Sequence, residues 1–535
     1  MGTSTAAPAP RPGFLGWVER VGNRLPDPVF IFVWLIAGLV IVSVLGALAG
    51  WSALHPTELD AATGQPRLVM VASLLSAENI RLLWTETPRT FTAFAPLGYV
   101  LVVMFGAGVA ERVGLLSTAM RLSMANVPRR WMTPAVALVS MMGNHAADAA
   151  FVVFVPLCGI IYHAAGRHPL LGVGASFASI AGGFSANLLP GQLDALLLGL
   201  TEAAVTSAFG DVYTANIAGN WYFIAAMTVL YLPIIWYVTD RVVEPRLGKY
   251  DPALRESSDV AALNQTPDER GQKTGLRRAG LALLAVLATW LLCIFGPGTP
   301  LIDETAGEGR LSPLYNSLLA LFMLIFLVPA WTYGKATGAI ADHRDLVKML
   351  TGAMQDMGYY LVLVFVAAHF VAMFAWSNLG IVIAVNGADA LRESGLPAWA
   401  MVGSVVVFGS ALNMIIGSAS AKWAVIGPAL VPMLMLLGIS PEMSTAAYRA
   451  GDSATNMITP VGYLPIMLIF CRRWVHDYGF GSFVAIMLPY AGAILVAATA
   501  LTIGWVVLDL PLGPGAGVFI EPGATVAPLA PAAPG

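Results

Sequence analysis

The sequence predicts an all-α polytopic membrane protein built from inverted repeats, with re-entrant hairpins and broken helices at its centre. Three observations predict it. Charged residues make up 11% of the chain and hydrophobic residues 57%, with a mean hydropathy of +0.74. A soluble domain carries roughly 25% charged residues, so lipid must cover this surface. Apolar runs of spanning length recur along the chain, and two interrupted stretches in its first half have counterparts in its second.

The spans come first. A membrane helix needs about 20 mostly apolar residues. Clear runs lie near 29–50, 92–110, 222–239, 279–296, 313–332, 358–385, 398–416 and 483–508. From 131 to 206 and from 411 to 470 the apolar sequence is broken repeatedly by Gly, Asn, Ser, Pro and charge. Neither stretch reads as a simple span.

Basic residues set the orientation. Arg11, Arg20 and Arg24 precede the first span, and Arg121, Arg129 and Arg130 follow the second. The segment 241–278 is rich in Arg and Lys, and Lys335, Arg344, Lys348, Arg472 and Arg473 come later. All of these face the cytoplasm if the N-terminus is inside. The loops near 52–90 and 297–312 are then external, although the first holds Arg67, Arg81 and Arg89 against the rule. The expected layout is a cytoplasmic segment at 1–28, a membrane half at 29–240, a cytoplasmic linker at 241–278, a second half at 279–510 and a tail at 511–535. The start is basic and Pro-rich and does not read as a cleavable signal. The tail is largely Pro, Ala and Gly, too poor in apolar side chains to bury a core, and is expected to be disordered.

The halves match at two places. MMGNHAADAAFVVFVP (Met141–Pro156) and IIGSASAKWAVIGPALVP (Ile415–Pro432) both carry a Gly, a patch of small and polar residues, a charge five residues after the Gly, then an apolar run. The charges are Asp148 and Lys422. Downstream, AGGFSANLLPG from Ala181 and AGDSATNMITP from Ala450 share Ala-Gly at the start and Asn at the seventh place, Asn187 and Asn456. Both pairs lie about 270 residues apart in the same order. The small-residue patches predict hairpins near 135–165 and 410–438, and the Ala-Gly segments predict broken helices near 175–200 and 445–470. Irregular backbone at membrane depth is tolerated only where it lines a cavity. Two tips facing two breaks build one such cavity, with half-helix N-termini suited to a carboxylate.

These residues carry a family resemblance. GSASAKWAVIGPALVPMLMLLGISPEMSTAAYRAGDSATNMITP (Gly417–Pro460), VERVGNRLPDP (Val18–Pro28) and VVMFGAGVAERVGLL (Val102–Leu116) resemble the aminobenzoyl-glutamate transporter (AbgT) family. The resemblance spans nearly the whole chain up to about Gly513. It implies a homodimer in a bacterial inner membrane, with about nine transmembrane helices and two re-entrant hairpins per subunit. It also implies cation-driven uptake of p-aminobenzoyl-glutamate, export of sulfonamide antimetabolites, or both. The family's functional positions fall on Asp194, Asn413, Ser420, Trp423, Pro441, Arg449, Asp452 and Pro460.

Each candidate also has a plainer reading. A membrane carboxylate needs a partner or a polar cavity. Asp452 is therefore a cation or proton site, or a structural partner of Arg449 three residues earlier. Arg449 holds a substrate carboxylate through its planar fork, or simply pairs with Asp452. Lys422 at a tip contacts substrate, or snorkels to solvent. Trp423 stacks on an aromatic substrate, or packs. Asn187 and Asn456, related by the repeat, coordinate a cation together with Asp194 and Asp452, or cap loose backbone. His145 carries a proton, or is a hydrogen-bonded core residue. Cys158, Cys293 and Cys471 lack metal-ligand spacing. No phosphate loop, zinc-type His pair, nucleophile elbow or nucleic-acid-binding basic block appears. No cofactor is expected beyond sodium or a proton as coupling ion. Two other functions stay open: a passive channel, and an intramembrane aspartyl-type enzyme using Asp194 and Asp452.

Overall fold

The computed structural model describes residues 27–520 apart from 61–62, 125–126, 147–149, 211, 249–268, 306–309, 415, 460–463 and 476–477. The described residues open with helix α1 (Pro28–Leu48). The Asp27 side chain accepts the Val29 N–H at 2.9 Å, and Pro28 fills a first-turn position that needs no donor. Strands β1 (Ser52–Leu59) and β2 (Pro66–Met70) then pair antiparallel, with Ser52 opposite Met70. This ribbon lies in the stretch expected to be an external loop, and it is one small exception to an all-α fold.

Short helices α2 (Ala77–Thr85) and α3 (Thr87–Thr92) lead to α4 (Ala95–Arg112) and α5 (Leu115–Met124). The first hairpin follows, with arms α6 (Met132–Met142) and α7 (Val155–Ala164). Tyr162 donates to Thr133 Oγ1 at 2.8 Å and ties its open end. Its tip contains a 3-10 turn at Gly143–Ala146 and a π turn at Ala150–Phe154. Next come α8 (Pro169–Gly182), α9 (Gln192–Phe209) and α10 (Trp221–Leu247). The second half holds α11 (Glu269–Phe295), α12 (Ser312–Thr337), α13 (His343–Asp356), α14 (Gly358–Trp376) and α15 (Leu379–Glu393). A second hairpin has arms α16 (Ala398–Asn413) and α17 (Ala419–Met435). Helices α18 (Pro441–Thr455), α19 (Leu464–Arg472) and α20 (Phe480–Val507) complete the bundle. Among the described residues, seven helices are long and apolar enough to cross a membrane: α1, α4, α10, α11, α12, α14 and α20.

The two halves are built alike at their centres. Both arms of the first hairpin pack on α8, and both arms of the second pack on α18. Every residue of α8 and of α18 is buried. Such a helix contacts protein on all sides, so small residues set how closely it packs. A Cβ on Gly451 in α18 would collide with the Val406 carbonyl of α16. A Cβ on Gly172 in α8 would collide with the Cys158 carbonyl of α7.

Several expectations are corrected. The second hairpin starts at Ala398 rather than near 410, because the run 398–416 is its first arm and not a separate span. The run 358–385 is interrupted after Trp376, where Asn378 takes a left-handed turn (φ 57°) between α14 and α15. Asn tolerates that backbone better than most residues. The linker 241–278 is helical at both ends, with 249–268 outside the described residues. The tail is ordered as far as Ile520. Tyr222 and Phe223 donate their N–H groups to the Leu512 carbonyl at 2.8 and 3.2 Å, and Ser440 donates to the Val518 carbonyl at 2.9 Å. Small residues there permit close backbone approach: a Cβ on Gly513 would strike the Ala218 carbonyl. Residues 521–535 lie outside the described chain.

Gly451→Val should lower the thermal unfolding midpoint of the purified protein, because overpacking typically costs about 1–3 kcal/mol. Gly492→Ala in α20, where an added methyl meets open space, should not. Equal midpoints for both variants would contradict the close α16–α18 packing.

Candidate functional site

Helix α18 begins where the Ser440 side chain accepts the Met443 N–H at 3.1 Å and Pro441 takes the first helical position. Along it, Glu442, Thr445, Arg449 and Asp452 recur every three or four residues and so form one polar stripe. The helix is wholly buried, so each member must find a partner from another element. Tyr213 donates to Glu442 at 2.9 Å. Thr445 meets Thr201 of α9, hydroxyl to hydroxyl, at 2.7 Å. Arg449 Nη1 donates to Asp194 Oδ1 of α9 at 2.6 Å. Asp452 forms an ion pair with Lys422 of α17.

The last two pairs decide against two of the plainer readings. Arg449 and Asp452 are not each other's partner, although their spacing permits it. Lys422 does not snorkel, since its side chain is 0% exposed. Isolated charges at this depth are costly, and pairing with hydrogen bonds offsets the cost. Lys422 also donates to Asn413 Oδ1. Asn413 Nδ2 in turn faces the Asp452 carbonyl at 2.9 Å, Thr455 Oγ1 at 3.0 Å and Asn456 Oδ1 at 2.8 Å. The end of α16, the start of α17 and the end of α18 are thereby locked into one polar cluster. Asp194 is equally engaged: its Oδ2 accepts the Gly191 N–H at 2.8 Å and caps α9.

A cavity of about 340 Å³ adjoins the Asp194–Arg449 pair. It is lined by the first tip (Asn144, His145), the break after α8 (Phe184, Asn187, Gly191) and the second tip (Gly417, Ser418, Ser420). Asn144 Nδ2 donates to the Gly183 carbonyl at 3.1 Å, joining the first tip to the first break. The opening turns of α9 and α17 both border the cavity. Helix N-termini carry partial positive charge and favour an anion.

The structure thus divides the sequence-predicted residues. Asn187, Asp194, Ser420 and Arg449 line the cavity. Asn413, Asp452 and Asn456 belong to the Lys422 cluster behind it. Trp423 is fully buried: its ring stacks on Tyr448 with centroids 4.4 Å apart, and its Nε1 donates to Thr201 at 2.9 Å. Pro441 sits at the far end of α18, about 12 Å along the axis from Arg449 at 1.5 Å per residue. Pro460 lies outside the described residues, as does Asp148. The helix break also falls differently in the two halves. After Ala181-Gly182 the chain unwinds at once, whereas after Ala450-Gly451 the helix continues to Thr455. Sequence reasoning missed Thr201, Tyr448 and Glu442. The stripe period of α18 carries a signal for Glu442, but nothing local marks the other two.

Comparison with known proteins agrees with this geometry. Residues 13–520 match the model of the AbgT putative transporter family. The p-aminobenzoyl-glutamate transport protein of Escherichia coli (strain K12) is 36% identical over 502 residues, covering 94% of this chain and 96% of that protein. The solved structure of Neisseria gonorrhoeae MtrF, described as illuminating a class of antimetabolite efflux pumps, superposes with a TM-score of 0.86 at 39% identity. It covers 94% of this chain and 100% of that one. The Alcanivorax borkumensis YdaH transporter, whose crystal structure reveals an unusual topology, gives a TM-score of 0.83 at 36% identity over 91% and 100% of the two chains. Family model, sequence relative and solved structures coincide along almost the entire length, and the chain is a member of the AbgT transporter family.

Proposed function

We propose that this chain is a cation-coupled secondary transporter in a bacterial inner membrane. It takes up p-aminobenzoyl-glutamate-like aromatic carboxylates, exports sulfonamide-type antimetabolites, or both. It works as a homodimer with a cytoplasmic N-terminus. The observation that carries the reading is the pair of buried ion pairs on one helix: Arg449–Asp194 at the cavity and Lys422–Asp452 behind it.

The coupling follows from electrostatics. A carboxylate at this depth persists only when paired, protonated or cation-bound. A proton or sodium ion that occupies Asp452 must displace Lys422. Lys422 opens α17, whose first turn borders the cavity, so cation occupancy is felt at the second tip. Asn413 and Asn456 hold the polar cluster together while the cation exchanges. The second pair gives the substrate side of the exchange: a carboxylate arriving at Arg449 competes with Asp194 for the same guanidinium. An aspartyl-type enzyme would hold Asp194 and Asp452 against each other, whereas each is held by its own cation. A transporter also concentrates its substrate unchanged, which separates it from a channel and from an enzyme.

Asp452→Asn strands Lys422 and should cost about 3–5 kcal/mol, the usual effect of breaking a buried pair. Asp452→Asn combined with Lys422→Met removes both charges and should recover most of that stability. Neither protein should accumulate substrate in proteoliposomes under an imposed sodium or proton gradient, although substrate exchange can survive. Wild-type accumulation by the folded double variant would refute the coupling role.

Trp423 lies beside Lys422 on α17. Trp423→Ala should weaken aromatic substrate binding by about 1–3 kcal/mol if substrate engages the ring during transport, and Trp423→Phe should retain part of it. Unchanged affinity in folded Trp423→Ala protein would leave Trp423 a packing residue against Tyr448.

A further inference from the structure

Three residues that line the cavity between the tips each carry a buried polar atom with no hydrogen-bond partner among the described residues: His145 Nε2, Asn187 Oδ1 and Arg449 Nε. They come from three separate segments: the first tip, the break after α8, and α18. Asn187 is 8% exposed and Arg449 1%. Buried polar groups are nearly always paired. Three unpaired ones around one void point to a ligand that pairs them.

Their chemistry specifies the ligand. Arg449 Nε is a donor only, Asn187 Oδ1 is an acceptor, and His145 Nε2 donates to an anion in its Nε2–H form. Two donors and two bordering helix N-termini suit a carboxylate. One acceptor beside them suits an N–H on a neighbouring atom. A carboxylate one carbon from an amide N–H is the unit of an N-acyl-α-amino acid. The cavity also offers Phe151 and Phe184 to an aryl group, and its volume of about 340 Å³ suits a small molecule. Two nitrogen donors are poor company for a metal cation, which argues against Asn187 as a sodium ligand here.

We propose that this cavity binds the carboxylate and adjacent amide of an N-acyl amino acid, with His145 and Asn187 as substrate-contact residues. The inference rests on the substrate reading above and adds two contacts to it. Arg449 keeps Nη1 on Asp194 and offers Nε to the carboxylate. Asn187 Oδ1 accepts the amide N–H, and His145 Nε2 donates to the second carboxylate oxygen. Gly191 makes room for His145: a Cβ there would lie 2.5 Å from the imidazole Nδ1.

The test is calorimetric binding to the full-length protein. The ligands are p-aminobenzoyl-glutamate, its analogue methylated on the benzamide nitrogen, and N-benzoylglycine, which keeps the carboxylate–amide unit and the ring but lacks the glutamate side chain and the aryl amine. Asn187→Leu should weaken the parent compound about 3- to 10-fold and leave the N-methylated analogue unchanged, because that ligand has no amide N–H to donate. His145→Leu should weaken the parent and N-benzoylglycine about 10-fold or more. His145→Gln, whose amide nitrogen reaches the Nε2 position, should recover most of this. Equal losses for the parent and N-methyl ligands in Asn187→Leu protein would overturn the amide contact. Wild-type affinity in folded His145→Leu protein would overturn the His145 contact. Binding of N-benzoylglycine but not p-aminobenzoyl-glutamate would leave the site standing and refute only the larger substrate. Binding of neither by wild-type protein would remove both.

Discussion

Helix α18 carries an arginine and an aspartate into the middle of an apolar bundle, and the surrounding structure compensates them. Each charge is neutralised by a residue from a different element: Asp194 at the start of α9, and Lys422 at the start of α17. Two cations and two anions sum to zero, so the cluster avoids a net charge at membrane depth. The arrangement also joins the halves, because Asp194 belongs to the first and Arg449 to the second. A helix with its own internal Arg–Asp pair would have no such tie to the rest of the protein.

The repeat explains why the partners are within reach. In each half a hairpin folds around a short helix buried on every face, and the chain then breaks before the next helix. The two tips, the first break and α18 meet at one cavity, where the halves are packed against each other. The repeat is not exact, and its departures are where the chemistry concentrates. The second short helix keeps its turns through Asp452 to Thr455 and so presents a polar stripe. The first ends at Gly182, and the loop after it supplies Asn187 and Gly191 to the cavity instead.

Other parts of the fold serve rigidity around that centre. The Pro- and Gly-rich segment after α20 returns as a strap that hydrogen-bonds the start of α10 and the start of α18. The open end of the first hairpin is held more firmly still. Arg167 pairs with Asp240 and with Glu244, both at 2.6 Å, and donates to Thr133 at 2.9 Å. With its outer end fastened, the first hairpin has its tip at the cavity as the part left to respond to what binds there.

Much of this was legible in the sequence. Low charge and long apolar runs demanded lipid. The duplicated Gly and Ala-Gly-x-x-x-x-Asn motifs marked both tips and both breaks, because only small residues let a chain reverse or unwind inside an apolar stretch. Asp194, Arg449 and Asp452 stood out as charges where charge is costly. The pairing of those charges was not legible. Arg449 and Asp452 lie three residues apart on one helix, and local spacing favours a contact between them. The opposite outcome depends on Asp194, 255 residues away from Arg449 in the chain, and on where the tip of the second hairpin delivers Lys422. The order of the C-terminal strap and the burial of Trp423 against Tyr448 were hidden for the same reason. The sequence determines which groups cannot remain alone in a low dielectric; the packing of distant segments decides which partner each of them finds.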